Sequence, residues 1–132
     1  MTVLVKVNQL TKSFGPFKAV ENISFNLKRG EVLGFLGPNG AGKTTTMRMI
    51  TGFIPASTGE VYVCDNDISK FPILAKEKIG YVPEGAPLYS DMTATSLLNF
   101  VAETRGFAGN SKVEVVKTAI EKLQLESVVM QN

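Results

Sequence analysis

The chain has 132 residues, 44% of them hydrophobic and 20% charged, with a net charge of +2. That length holds one compact domain with a sizeable core and excludes two ordinary ones. So small a charge gives no ground for binding nucleic acid or an anionic membrane surface.

Cys64 is the only cysteine, which excludes an intrachain disulfide and suits an unoxidised, cytoplasmic setting. It falls in an apolar strand pattern and reads as a small buried hydrophobe. No apolar run is long enough to span a membrane, and Met1 to Gln9 lacks the apolar stretch of a signal peptide.

Val3, Val5 and Val7 alternate with Leu4, Lys6 and Asn8, which predicts a half-buried strand. Thr11-Lys12-Ser13-Phe14-Gly15-Pro16 ends it with turn residues. A second strand carries Ile23, Phe25 and Leu27 on one face and Ser24, Asn26 and Lys28 on the other. Lys28-Arg29-Gly30-Glu31 then turns tightly into Val32-Leu33-Gly34-Phe35-Leu36, a short apolar segment that reads as a buried strand.

The next nine residues are Gly37-Pro38-Asn39-Gly40-Ala41-Gly42-Lys43-Thr44-Thr45. They fit G-x-x-x-x-G-K-[ST], the phosphate-binding P-loop, a pattern expected by chance in about one chain of this length in a few hundred. A polyphosphate spreads its charge over many oxygens, and a ring of backbone N–H groups can solvate it. So tight a curl needs positive φ, hence Gly37, Gly40 and Gly42. Lys43 offers a cation to the β- and γ-phosphates, and the Thr44 hydroxyl is placed to ligate Mg²⁺. Lys43 to Ile50 contains no Gly or Pro and predicts a helix whose N-terminus faces the phosphates.

Gly52 is the expected C-cap, and Pro55 to Gly59 a loop. Glu60 to Cys64 alternates as a strand, Asp65-Asn66-Asp67 makes a turn, and Pro72 to Lys78 reads as a short helix. Ile79-Gly80-Tyr81-Val82 predicts another core strand, ended by Pro83 and followed by a loop to Asp91. From Thr93, a candidate N-cap, Leu97, Leu98, Val101 and Ala102 form a helical stripe. After an interruption at Gly106 to Asn110, Ser111-Lys112-Val113-Glu114 matches a capping box, with Val113, Val116, Ile120 and Leu123 at helical spacing.

Asn8-Gln9-Leu10-Thr11-Lys12-Ser13-Phe14-Gly15, Ala19 to Phe25, Gly30-Glu31, the P-loop, Gly59-Glu60-Val61 and Ile79 to Glu84 together resemble the ATP-binding subunit of an ABC transporter. The likeness keeps its order and spacing over the whole chain. It implies an α/β fold, a P-loop NTPase core with an N-terminal antiparallel β-subdomain and the start of an α-helical subdomain. Residues 1–36 and 59–70 would be β-subdomain strands and the P-loop strand, 37–52 the P-loop and its helix, 79–91 a core strand and its loop, and 92–132 the start of the helical subdomain.

The resemblance also assigns roles. Phe14 falls where the family stacks an aromatic ring on adenine, and residues 37–45 form the phosphate cradle. Glu84 takes the place of a glutamine whose loop reaches Mg²⁺ and the attacking water and touches the membrane subunit. ATP and Mg²⁺ are the implied cofactors, and the implied partners are a membrane subunit and a second ATP-binding subunit. The implied setting is the cytoplasmic face of a membrane. The Pro-Glu pair, with Pro87-Leu88-Tyr89 and Met92-Thr93, is similar to a branch of drug, polysaccharide and gliding-motility exporters. Ser96 departs from the glutamate of many relatives, which bears on capping or partner contact.

Hydrolysis needs an acidic residue to hold Mg²⁺, a group to orient water, and stabilisation of the transferring phosphoryl group. The family's serine-glycine signature, aspartate-glutamate pair and switch histidine do not occur in this sequence, which has no histidine. Val61 to Asp65 mimics the acidic strand, but Asn66 stands where glutamate should, and Asp-Asn pairs favour turns. The sequence therefore reads as the N-terminal half of an ATPase subunit, expected to bind Mg-ATP with little or no turnover by itself. Two alternatives are a non-catalytic ATP-binding module and another P-loop NTPase. The second lacks the Asn-Lys-x-Asp that reads guanine.

Overall fold

The computed structural model describes residues 2–85 and 89–131. Pro87 and Leu88 of the exporter-like segment lie outside the described residues. The chain divides into two compact units, Met1–Tyr81 and Val82–Asn132.

In the first unit, β1 (Val3–Phe14), β2 (Phe17–Lys28), β3 (Thr58–Val63) and β4 (Asn66–Asp67) form an antiparallel sheet in the order β2-β1-β3-β4. Helix α1 (Lys43–Ile50) and the short α2 (Pro72–Lys76) complete the unit. The buried core joins Val7, Leu10 and Val20 to Val61, Val63, Met49, Ile50 and Ala75.

Val7 and Leu10 are three apart, so strict alternation cannot bury both. The ladder passes from Val7↔Phe25 to Leu10↔Ile23, three steps on β1 against two on β2, with Gln9 at φ 45°. This bulge turns Leu10 inward, where it is fully buried. Between Leu10↔Ile23 and Lys12↔Val20 the extra residue lies on β2, with Asn22 at φ 48°, and Val20 comes inward too. Side chains hold both bulges: Gln9 N–H donates to Ser24 Oγ at 2.7 Å, and Asn22 N–H to Thr11 Oγ1 at 2.9 Å. Where β3 passes the first bulge, a Cβ on Gly59 would stand 2.4 Å from the Gln9 carbonyl oxygen and 2.6 Å from that of Asn8.

Several expectations need correcting. β1 does not end at Thr11. It runs to Phe14, and only Gly15 and Pro16 turn, with glycine first at φ 58°. β3 stops at Val63, and Cys64 and Asp65 at φ 47° and 64° are the two turn residues of a hairpin whose ladder resumes at Asn66. Cys64 is thus a half-buried turn residue packed on the core, not a strand hydrophobe. Asp65 is the turn residue expected.

Val32 to Leu36 is not a strand, and neither is Ile79 to Val82. Val32, Leu36 and Val82 are 98%, 95% and 86% exposed. Apolar composition is not enough for a strand, because a strand exists only with a ladder partner. The four described strands pair among themselves and offer these segments none. Phe35 alone anchors the first segment, edge-on to Phe25 at 5.3 Å.

Asp67 is a buried carboxylate in this unit. The Ser69 hydroxyl donates to its Oδ1 at 2.6 Å and the Ser69 N–H at 2.9 Å, with Lys70 at 3.4 Å from Oδ2. These donors, the hydroxyl foremost, hold its carboxyl below the usual carboxylate range. A lowered folded pKa stabilises at pH above the unfolded value, about 3.9, and the gain vanishes as pH falls through the folded one. The urea midpoint of the wild-type chain is therefore expected to fall more steeply below about pH 5 than that of Asp67→Asn. Parallel pH profiles would overturn this.

In the second unit, α3 (Ala94–Thr104) and α4 (Gly109–Leu123) pack through Ala102 and Val116. Thr93 caps α3 as expected, accepting from Ser96 N–H at 3.1 Å, and its hydroxyl donates to Ser96 Oγ at 3.0 Å. Ser96 thus joins the cap where a glutamate would reach back. The first free N–H groups of α3 donate to the carbonyls of Gln131 and Val129. The capping box at Ser111 does not form. α4 starts three residues earlier, with Ala108 as N-cap, and Ser111 Oγ donates to the Ala108 carbonyl at 2.7 Å. The stripes are also thinner than their spacing suggests: Val101, Val113 and Leu123 are exposed. Lys112 pairs with Glu103 at 2.8 Å across the two helices. Among the described residues no helix is long and apolar enough to cross a membrane.

Candidate nucleotide site

Residues 37–45 link the anchored Phe35 segment to α1. Gly40 and Gly42 lie at φ 85° and 91°, the left-handed conformations expected of a curled loop. Gly37, at φ 156°, also has a positive φ that L-residues rarely adopt, at the far edge of that region. The Ala41 N–H closes the loop on the Pro38 carbonyl at 3.2 Å.

Gly42 is the N-cap of α1 and has no side chain to occupy the free N–H groups of the first turn. Thr46 fixes this end from within, its N–H and hydroxyl both donating to the Gly42 carbonyl at 2.9 and 2.8 Å. β2 fixes it from outside. A Cβ on Gly42 would stand 2.5 Å from the Ala19 carbonyl oxygen and 3.0 Å from Val20 Cγ2. The glycine therefore serves two ends, a left-handed turn and the closest approach of loop to sheet.

Lys43 bends back over the loop. Its ammonium donates to the carbonyls of Gly37 and of Pro38, the latter at 3.0 Å. That places a cation against the ring of backbone amides, where phosphate oxygens can exchange for the two carbonyls. Thr44 is exposed in the first turn of α1, beside Thr45. Residues 39–40 and 42–45 line a hollow of about 360 Å³ with Phe17 and Ala19 of β2.

Phe14 lies beside Phe17 at the edge of the sheet. It pairs across the hairpin with Phe17, is half exposed, and has the Lys12 ammonium 5.2 Å from its ring centroid. Lys12 is tethered by donating to the Pro55 carbonyl at 2.8 Å. Phe17 was not singled out from the sequence. Its signal lay in its position, one strand step before Ala19 on the same face and just past a Gly-Pro turn. Glu84 belongs to the second unit, where it sits exposed in a turn with Gly85.

The donors present fit a magnesium-bound nucleoside polyphosphate. Mg²⁺ takes few protein ligands, keeps its waters and shares substrate phosphates, so one hydroxyl such as that of Thr44 suffices. No group of three His, Cys, Asp or Glu that could hold a metal occurs among the described residues. A metal here would thus depend on the phosphates it accompanies.

The family model described as ABC transporter matches residues 20–131. The chain belongs to the ABC transporter family. Its ATP-binding proteins supply the relatives. The chain is 40% identical over 121 residues to the linearmycin resistance ATP-binding protein LnrL of Bacillus subtilis, covering 92% of this chain and 38% of LnrL. It is 34% identical over 125 residues to the "Probable multidrug ABC transporter ATP-binding protein YbhF" of Escherichia coli, covering 95% and 22%.

Among solved structures, cbiO1 from Clostridium perfringens, described as part of the ABC transporter complex cbiONQ, aligns with TM-score 0.83. The identity is 25%, over 99% of this chain and 54% of that one. An ATP-binding subunit of an ABC transporter aligns with TM-score 0.82 at 24% identity, over 96% and 53%, a likeness of fold. The chain thus spans less than half of these curated relatives and about half of the solved ABC subunits. The P-loop and the antiparallel subdomain expected for the ABC ATPase fold are both in place.

Proposed function

We propose that this chain carries the nucleotide-gripping half of an ABC transporter ATPase. The observation that supports this most is the loop at residues 37–45. Two left-handed glycines, an uncapped helix N-terminus and the Lys43 ammonium converge on one small hollow. Backbone amides and Lys43 would hold the β- and γ-phosphates of ATP, and the Thr44 hydroxyl a Mg²⁺. Bound Mg²⁺ would supply charge neutralisation on the phosphates.

In this reading residues 1–36 and 59–70 are the β-subdomain with the P-loop segment, 37–52 the cradle, 79–91 the core segment with Glu84, and 92–132 the start of the helical subdomain. Phe14 would offer adenine a π-face, and Glu84 would approach Mg²⁺ and report phosphate status to a membrane subunit. In the working assembly a second ATP-binding subunit would complete each site at the cytoplasmic face of a membrane. Closure on ATP would drive substrate movement. The names of LnrL and YbhF support a drug-exporting system.

The test is calorimetric titration with ATP, with and without Mg²⁺, alongside phosphate-release assays. Binding that Mg²⁺ strengthens is expected, and Thr44→Ala should remove the Mg²⁺ effect. Turnover should be very slow or absent, since the sequence has no histidine, signature or aspartate-glutamate pair. No binding of ATP would overturn the reading. Steady hydrolysis lost in Lys43→Ala would overturn the expectation of low turnover.

A further inference from the structure

We propose that Thr46 is a positioning residue for phosphate, an inference that rests on the P-loop holding a polyphosphate. Its hydroxyl and its N–H both donate to the Gly42 carbonyl, at 2.8 and 2.9 Å. Glycine is the residue least able to hold its own backbone, and Gly42, at φ 91°, has no side chain to lock it. The peptide that joins it to Lys43 is planar, so its carbonyl and its N–H point opposite ways. Two donors draw the carbonyl down the axis of α1. The Lys43 N–H is thereby aimed out of the helix at the hollow lined by Gly40, Lys43 and Thr44.

Hydroxyls bonded back along a helix are ordinary, and position decides what this one does. At the other end of α1 the Thr51 hydroxyl donates in the same way to the Met47 carbonyl at 2.8 Å. The Met47–Arg48 peptide lies inside the helix, where the ladder bonds it at both ends. The Gly42–Lys43 peptide is bonded at its carbonyl end only, since the first N–H groups of a helix have no acceptor within it. A hold on that carbonyl therefore sets the direction of a free donor, and this donor faces the phosphate. Thr46 is buried, so water does not take over from its hydroxyl.

Calorimetry on the whole chain with ATP and inorganic tripolyphosphate tests this. Thr46→Val keeps the bulk of the side chain and the N–H bond to Gly42 but removes the hydroxyl. It should weaken both probes about 5-fold, the worth of one neutral hydrogen bond, and leave the urea midpoint near that of the wild type. Thr46→Ser keeps the hydroxyl and loses a buried methyl, so it should bind both probes like the wild type with a lowered midpoint. Thr51→Val is the control and should leave both affinities unchanged. The proposal is overturned if Thr46→Val binds both probes as the wild type does, or if Thr51→Val weakens them equally. It is also overturned if affinity follows the urea midpoint rather than the hydroxyl, or if only ATP is weakened, because the Lys43 N–H meets phosphate and not the base. If the wild-type chain binds neither probe, the nucleotide reading itself falls, and the proposal with it.

Discussion

Replacing Gly59 by alanine is expected to cost the first unit about 3 kcal/mol and to lower its urea midpoint accordingly. Two costs combine. Gly59 sits at φ 91°, where an L-residue is strained by about 1–2 kcal/mol. The new methyl would also meet the carbonyl oxygens of Gln9 and Asn8 at 2.4 and 2.6 Å, and backbone on a central strand cannot step aside like a side-chain tip. Overpacking of this kind adds about 1–3 kcal/mol. An ordinary domain has only about 5–15 kcal/mol in all, so much of the margin would be lost. Gly15→Ala is the control, since Gly15 has a positive φ of 58° but nothing within 4 Å of a Cβ. It should cost only the backbone part. Equal midpoints for the two variants would sink the close-approach argument.

Lys43→Ala is expected to lower ATP affinity about 100-fold with little change in stability. Lys43 bonds only to the exposed carbonyls of its own loop, and water can take its place there. Against phosphate it would form charge-assisted bonds of about 1.5–3 kcal/mol each. One or two of these correspond to about two powers of ten at 1.4 kcal/mol per factor of ten. Competition titration against ATP measures the loss, and circular dichroism with a urea titration checks the fold. A change below about 3-fold in affinity would remove Lys43 from the site, and a matching fall in stability would make its role structural.

Local chemistry fixes what can be read from one stretch of chain. The P-loop motif needs eight contiguous residues and Thr93 caps the helix that starts at Ala94, so both were legible, as was the Asp65 turn. The alternation of Ile23, Phe25 and Leu27 also held, since the period of a strand is written in its own residues. ABC membership was legible for the same reason, because its motifs are short and ordered along the chain.

What depends on a distant partner was not legible. Val32 to Leu36 and Ile79 to Val82 have strand composition, but a ladder is made by two segments, and one segment cannot say whether its partner is present. The bulges at Gln9 and Asn22 were hidden because alternation predicts its own continuation, whereas a bulge is decided by which side chains the core accepts. The start of α4 moved because Ser111 can sit within the first turn and donate back to the carbonyl of the N-cap residue, Ala108, as well as cap a helix itself. Phe17 came to the phosphate hollow only when the sheet carried β2 against Gly42. The sequence determined which atoms could hold phosphate, through glycine geometry, a lysine and a hydroxyl. Only the tertiary structure decided which strand meets them, β2 at Ala19 and Val20, because that is a distance between segments far apart in the chain.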